Sequence, residues 1–228
     1  MPGTSTEAKN SVPLNYGIVL YPGFQALDVF GPLDAFNTLS LLRPLNLYVI
    51  AETMDPVSTK PPVPNPHGSQ FAQSVLPTHT FANAPPMDVL IIPGGIGSSD
   101  RGIQSSIDFV KKVYPSLQYL ITVCTGAGIA ARAGVLDGKR ATTNKRQWVP
   151  NIALRDEVTW IAHARWVVDG NIYTSSGVSA GIDVTFAFID ALYGSEIAGT
   201  LADILEYERH LDPNWDPFAE KYGLKDSK

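Results

Sequence analysis

The chain has 228 residues, with 17 Lys and Arg against 22 Asp and Glu and a formal charge of −5, so no basic surface for nucleic-acid phosphate is expected. Apolar residues at 44% exclude disorder and coiled coil and can build one sizeable core, while charged residues at only 17% predict that further surface is buried in a subunit contact. A single cysteine, Cys124, excludes an internal disulfide.

Residues 1–14 are expected to be a flexible N-terminal segment and 15–228 a single domain with a C-terminal helical tail. Met1 to Val12 is polar and lacks the apolar core of a signal peptide, so a cytoplasmic protein is expected. Apolar runs bounded by turn residues predict strands at Tyr16–Tyr21, Leu45–Ala51, Asp88–Ile92, Tyr119–Val123 and Asn171–Thr174. Helices are expected between them at Leu27–Leu39, Gly102–Tyr114, Gly126–Ala133 and Ala180–Leu192. This alternation implies a mostly parallel sheet covered by helices on both faces. Pro56–Pro66 carries five prolines in eleven residues and reads as an extended excursion. Leu117–Leu136 has the length of a membrane span but holds Arg132 and three glycines, so a strand followed by a helix explains it better and no membrane partner is expected. The tail reads as helical over Ile197–Arg209 and then breaks at Asp212–Pro217, with Trp215 and Phe218 as expected anchors.

Cys124 falls where a strand ends and a helix begins. The free amides and positive dipole end of such a helix stabilise a thiolate, which predicts a lowered thiol pKa. The amide of Thr125, together with those of Gly94 or Gly95 at the end of the neighbouring strand, offers an oxyanion hole. Spacing alone leaves open whether Cys124 is a nucleophile or a small buried hydrophobe. Asp28, among Phe24, Leu27, Val29 and Phe30, is equally open: it is either a desolvated acid able to hold or share a proton, or an ordinary acidic residue in a helix first turn.

The segments Tyr21-Pro-Gly-Phe24, Leu27-Asp28, Gly31-Pro32, Ile92-Pro-Gly-Gly95, Val123-Cys-Thr-Gly126, Ala133–Thr143 and Thr174–Asp183 resemble, in order and over nearly the whole chain, the ThiJ/PfpI superfamily of DJ-type, class I glutamine amidotransferase-like proteins. Within it they are most similar to the isonitrile hydratase branch. The resemblance implies a flavodoxin-like three-layer α/β sandwich, a homodimer with the site near the subunit contact, Cys124 as nucleophile on a strained turn, Asp28 as its acidic partner and Thr125 as a polar neighbour. It also makes Gly177 and Val178 part of a tight loop lining the cysteine pocket. Many relatives carry a histidine where this chain has Asn144, which cannot take a proton, so a Cys–His dyad is not expected. Phe24, Ile96, Asn144, Trp148 and Val178 are further candidates for the pocket wall.

The implied activity is cofactor-independent hydration of a small electrophile, an isonitrile, to an N-substituted formamide. The alternatives are glyoxalase-type conversion of methylglyoxal to lactate, a redox-responsive protein with little turnover, or a specialised natural-product enzyme. Gly177-Val-Ser-Ala-Gly181 also matches a serine nucleophile turn, with Asp190 and His210 following in triad order, but the chain is short for an α/β-hydrolase. Gly94-Gly-Ile-Gly97 lacks the spacing of a dinucleotide turn, and no His or Cys cluster with ligand spacing suggests a metal. Too few residues follow the last sheet-covering helix for a DNA-binding domain.

Overall fold

The structure is a computed structural model that describes residues 12–227. The expected flexible segment falls largely outside these residues. Within them, the Leu14 and Asn15 amides both donate to Asp88 Oδ2 at 2.9 Å, tying the chain down where the domain begins.

In chain order the strands are β1 Asn15–Val19, β2 Asn46–Ala51, β3 Val57–Ser58, β4 Ser74–Val75, β5 His79–Thr80, β6 Val89–Ile92, β7 Tyr119–Thr122, β8 Arg140–Ala141, β9 Thr159–Trp160, β10 Trp166–Asp169 and β11 Ile172–Ser175. The helices are α1 Ala26–Ser40, α2 Gln104–Val113, α3 Gly126–Arg132, α4 Trp148–Ile152, α5 Ala180–Tyr193, α6 Ser195–Ile204 and α7 Pro217–Lys221. The main sheet runs β10-β11-β7-β6-β1-β2-β5, parallel throughout except for the β10–β11 hairpin. Helices α1, α5 and α6 pack together, as do α2, α3 and α4, covering the sheet as the alternating pattern implied and giving the flavodoxin-like sandwich that the resemblance implied.

Burial explains the strand compositions. All four residues of β6 are buried, as a central parallel strand covered on both faces requires, which is why an unbroken Val-Leu-Ile-Ile run occurs there. Because parallel strands place their carboxyl ends on one edge, the turns after β1, β6, β7 and β11 converge at one end of the sheet. These turns carry Gly94, Cys124 and Gly177, and the one after β1 leads into α1, whose first turn holds Asp28.

The C-terminal part sharpens the expectations. The tail helix ends at Ile204 rather than Arg209, because Glu206 turns to φ +48° and Tyr207 swings inward, its hydroxyl donating to Asp183 Oδ1 at 2.7 Å. Trp215 and Phe218 are only partly covered, at 46% and 43% exposure: Trp215 stacks on His210 and lies over Arg165, and the buried residues of this stretch are Asp216 and Ala219. The proline-rich excursion is extended as expected, and its β3 pairs antiparallel with β4, a pair too short to show periodicity.

Asp183, in the first turn of α5, is the principal polar tie of the tail. Its carboxylate accepts from Arg165 Nε at 2.6 Å, from Tyr207 and from the His210 amide at 3.1 Å, and both Asp183 and Arg165 are buried. Asp183→Ala leaves the arginine buried without its partner and is expected to cost about 3–5 kcal/mol in urea unfolding. A loss under ~1 kcal/mol would show that the pair is not needed.

Candidate active site

Cys124 sits between β7 and α3 with φ +57°, a left-handed conformation that costs a non-glycine residue roughly 1–2 kcal/mol. Three hydrogen bonds hold it there. Its amide donates to Ser176 O at 3.1 Å, its carbonyl accepts from Thr143 Oγ1 at 2.9 Å, and the Gly126 amide closes the turn on Val123 O at 2.9 Å. The side chain is thereby turned toward the residues after β6 and β11. Asn144 Nδ2 donates to Sγ at 3.2 Å, and the amides of Val178 and Thr125 also favour the sulfur's charged form.

Asp28 is fully buried. The Gly94 amide donates to its Oδ2 at 2.9 Å, while Oδ1 accepts from no backbone or hydroxyl donor among the described residues. The Cys124 thiol lies against this carboxyl. Burial raises the Asp28 pKa to about 7, with the Gly94 amide and the thiol pulling it partly back. The thiol itself is pushed up to about 12, first by burial and then by the neighbouring carboxylate. The expected lowering of its pKa is therefore overturned: the donors around the sulfur do not offset desolvation and a like charge. Burial and the closeness of the two groups thus disfavour ionising both together.

The glycine turn after β6 also acts differently from the expectation. The Gly94 amide is committed to Asp28, and the Gly95 amide donates to Thr125 Oγ1 at 3.0 Å, so neither is free for an oxyanion. The amides directed at the sulfur belong to Thr125 and Val178. Thr125 Oγ1 further accepts from Ser98 Oγ at 2.8 Å and donates to Gly95 O at 3.3 Å, which uses its capacity and makes it a brace for the turn rather than a proton carrier. A Cβ on Gly94 would lie 2.6 Å from Thr125 N and 2.8 Å from Asp28 Oδ2. Gly94→Ala is accordingly expected to destabilise by about 1–3 kcal/mol and to slow the chemistry of Cys124, seen in unfolding and alkylation rates together.

Gly177 leaves room for Asn144, since a Cβ there would meet Asn144 Nδ2 at 2.7 Å. Asn144 Oδ1 accepts from the Gln147 amide at 2.9 Å, which orients the amide group so that Nδ2 faces the sulfur. Removing that donor in Asn144→Ala is expected to slow iodoacetamide alkylation of Cys124 at pH 8 by about tenfold, as fits loss of one hydrogen bond to a charged group. An unchanged rate would contradict this role.

Cys124, Thr125, Gly95, Ile96, Asn144 and Val178 all open onto one cleft of about 550 Å³, whereas Asp28 lies behind the sulfur. Phe24 and Trp148, expected on the wall, are buried in the core at 1% and 3% exposure. Sequence reasoning missed Gln25, Arg146 and Gln147 on the cleft, along with Pro62 and Val63, which the proline-rich excursion brings to its rim. It also missed the Val178 amide, whose only signal was its place in a tight loop, where it adopts φ +39°.

The serine turn does not assemble a triad. Ser179 is exposed, with Arg165 within 3.5 Å; His210 Nδ1 lies 3.3 Å from Asp183, and Asp190 is held by Arg209 and Ser195. Among the described residues no group of three or more His, Cys, Asp or Glu could hold a metal, and no helix is long and apolar enough to cross a membrane.

Residues 17–191 match the DJ-1/PfpI family. The chain is similar to an isonitrile hydratase of Pseudomonas putida, 31% identical over 195 residues that make up 85% of this chain and 78% of the relative. It is also similar, at 30% identity, to the HTH-type transcriptional regulator GbdR of Pseudomonas aeruginosa, over 56% of this chain but 34% of that protein. Among solved structures, a ThiJ/PfpI family protein from Pseudomonas syringae superposes with a TM-score of 0.71 at 25% identity, covering 95% of this chain and 84% of that one. With the family match over residues 17–191, its mostly parallel sheet and a structural match over 95% of its length, the chain belongs to the DJ-1/PfpI family.

Proposed function

We propose that the protein is a cysteine-dependent hydratase that converts an isonitrile to an N-substituted formamide. The observation that carries this reading is the buried Cys124–Asp28 pair, with a thiol that keeps its proton and a carboxyl of pKa about 7 beside it. Addition of a thiol to the terminal carbon of R–N≡C needs a soft nucleophile and one proton delivered to that same carbon. As Sγ bonds to the carbon, Asp28 takes the thiol proton and passes it on, giving the thioimidate R–N=CH–S–Cys. Water then adds to this carbon with Asp28 as general base. The C–S bond breaks, R–NH–CHO leaves and Cys124 recovers its proton. Asn144 and the Thr125 and Val178 amides stabilise charge on sulfur as the C–S bond forms and breaks. No cofactor enters these steps.

Asn144 supports hydration over amidotransferase or protease chemistry, because it supplies a hydrogen bond but no proton. The burial of Cys124, at 5% exposure, weighs against the redox-responsive reading, since oxidation follows access as well as thiolate character. Glyoxalase-type conversion of methylglyoxal uses the same pair of groups and is the competing activity. A parallel assay of wild type and Cys124→Ala with cyclohexyl isonitrile and with methylglyoxal separates them. Formamide production by wild type alone supports hydration, and lactate without formamide contradicts it.

A homodimer is part of the same proposal. Leu27 and Phe30 on α1 and Leu47 on β2 are exposed and line an apolar groove of about 590 Å³, an arrangement that a second copy would cover. Phe30→Glu is expected to halve the mass seen in light scattering.

A further inference from the structure

The cleft is uneven in charge. Its lining includes apolar Ile96, Val63 and Val178, while Arg146 and Asp100 are its charged residues. Asp100 is committed to its own turn, where Oδ1 accepts from the Gly102 amide at 2.6 Å. Arg146 is exposed, and no carboxylate among the described residues lies within ion-pair distance of it. In a chain with a net charge of −5, this arginine is an unmatched cation at the mouth of the reactive cleft. It also lines a second lobe of about 220 Å³, where Phe218 and Tyr222 of the tail stand half-exposed, so the guanidinium borders both spaces.

The loop that carries Arg146 is fixed from beneath. Asn144 is bonded to the sulfur, and Lys145 is buried, donating to Ala164 O at 2.9 Å and lying 3.5 Å from Asp216 Oδ2. The backbone of Arg146 is thereby fixed two residues from the sulfur-bonded side chain, and its exposed guanidinium stands free to meet a ligand in the cleft. Its planar donors match a carboxylate.

We propose that the substrate of this site is an anionic electrophile, an isonitrile bearing a carboxylate a few bonds from its nitrogen, and that Arg146 is the specificity-determining residue that binds the carboxylate. This rests on the hydration reading for the identity of the electrophile, and on the cleft alone for the anion. An apolar link between the two groups would lie along Ile96 and Val178.

Two measurements test it with the full chain. In the first, kcat/KM is compared for isocyanoacetate and its methyl ester in wild type and Arg146→Gln. The acid-to-ester ratio is expected to fall by roughly fivefold in the variant, the upper end for a partly solvated ion pair, with the change in KM. In the second, Cys124 is alkylated with iodoacetate and with iodoacetamide, each displacing iodide. The iodoacetate-to-iodoacetamide rate ratio is expected to fall by a similar factor in Arg146→Gln, whether or not either isonitrile turns over. A lowered alkylation ratio with no isonitrile turnover would sink hydration and leave the anion site standing. Turnover of both isonitriles, with both ratios unchanged within twofold by Arg146→Gln, would overturn the anion site and leave hydration standing.

Discussion

Cys124→Ala is expected to lower kcat/KM for an alkyl isonitrile by ~10⁴-fold or more, because the variant removes the atom that forms the intermediate and no other nucleophile replaces it. Ser179, the one competing candidate, is exposed and has no histidine bonded to it among the described residues. The turn is held by backbone bonds from residue 124 to Ser176 and Thr143, and these do not involve the sulfur. The variant is therefore expected to unfold at nearly the wild-type urea concentration, so that its inactivity reports chemistry. Ser179→Ala, measured beside it, is expected to keep most of the activity, and the opposite pattern would transfer the reaction to the serine.

The second large effect belongs to Asp28. Asp28→Asn keeps an acceptor for the Gly94 amide but can neither take nor give the proton, and a loss of about 10²–10⁴-fold in kcat is expected. In wild type, activity should rise with pH through about 7, because the carboxylate form of Asp28 is the one that accepts the thiol proton. That inflection should vanish in Asp28→Asn. Stability should move the other way. The folded-state pKa of about 7 stands above the ordinary 3.8, so the folded protein binds this proton more tightly, and the stability it contributes is full below pH 4 and lost as pH rises through 7. Asp28→Asn is accordingly expected to be more stable than wild type at pH 8, by ~2 kcal/mol or more, in urea unfolding. Equal stability at pH 8 would mean that Asp28 is not held in a desolvated site.

What could be read from the sequence divides along physical lines. The strand at Val89–Ile92 and the turn at Cys124 were legible because a continuous apolar run ending in Pro-Gly-Gly, or in Cys-Thr-Gly, has few other uses. Strands β3, β4, β5, β8 and β9, two residues each, were not, since such pieces carry no periodicity and are set by tertiary pairing. The meeting of Cys124, Asp28 and Asn144 followed from motif resemblance. The balance of forces on the thiol did not: helix position argues for a thiolate, and only the burial of both Cys124 and Asp28 shows that desolvation prevails. In the same way, the amides of Gly94 and Gly95 seemed available for an oxyanion until their bonds to Asp28 and Thr125 were visible. The cleft's charge was hidden because Arg146 looks like an ordinary surface residue until its neighbours are placed.

The central claim is that Cys124 forms a covalent thioimidate and that Asp28 moves its proton. Rapid acid quenching of the enzyme with excess cyclohexyl isonitrile, followed by mass measurement of the intact chain and of the peptide that contains Cys124, tests this most directly. An adduct of the mass of one isonitrile on Cys124, appearing before the formamide, longer-lived in Asp28→Asn and absent in Cys124→Ala, is the expected result. Formamide formed at an undiminished rate by Cys124→Ala, with no adduct at any time in wild type, would contradict it.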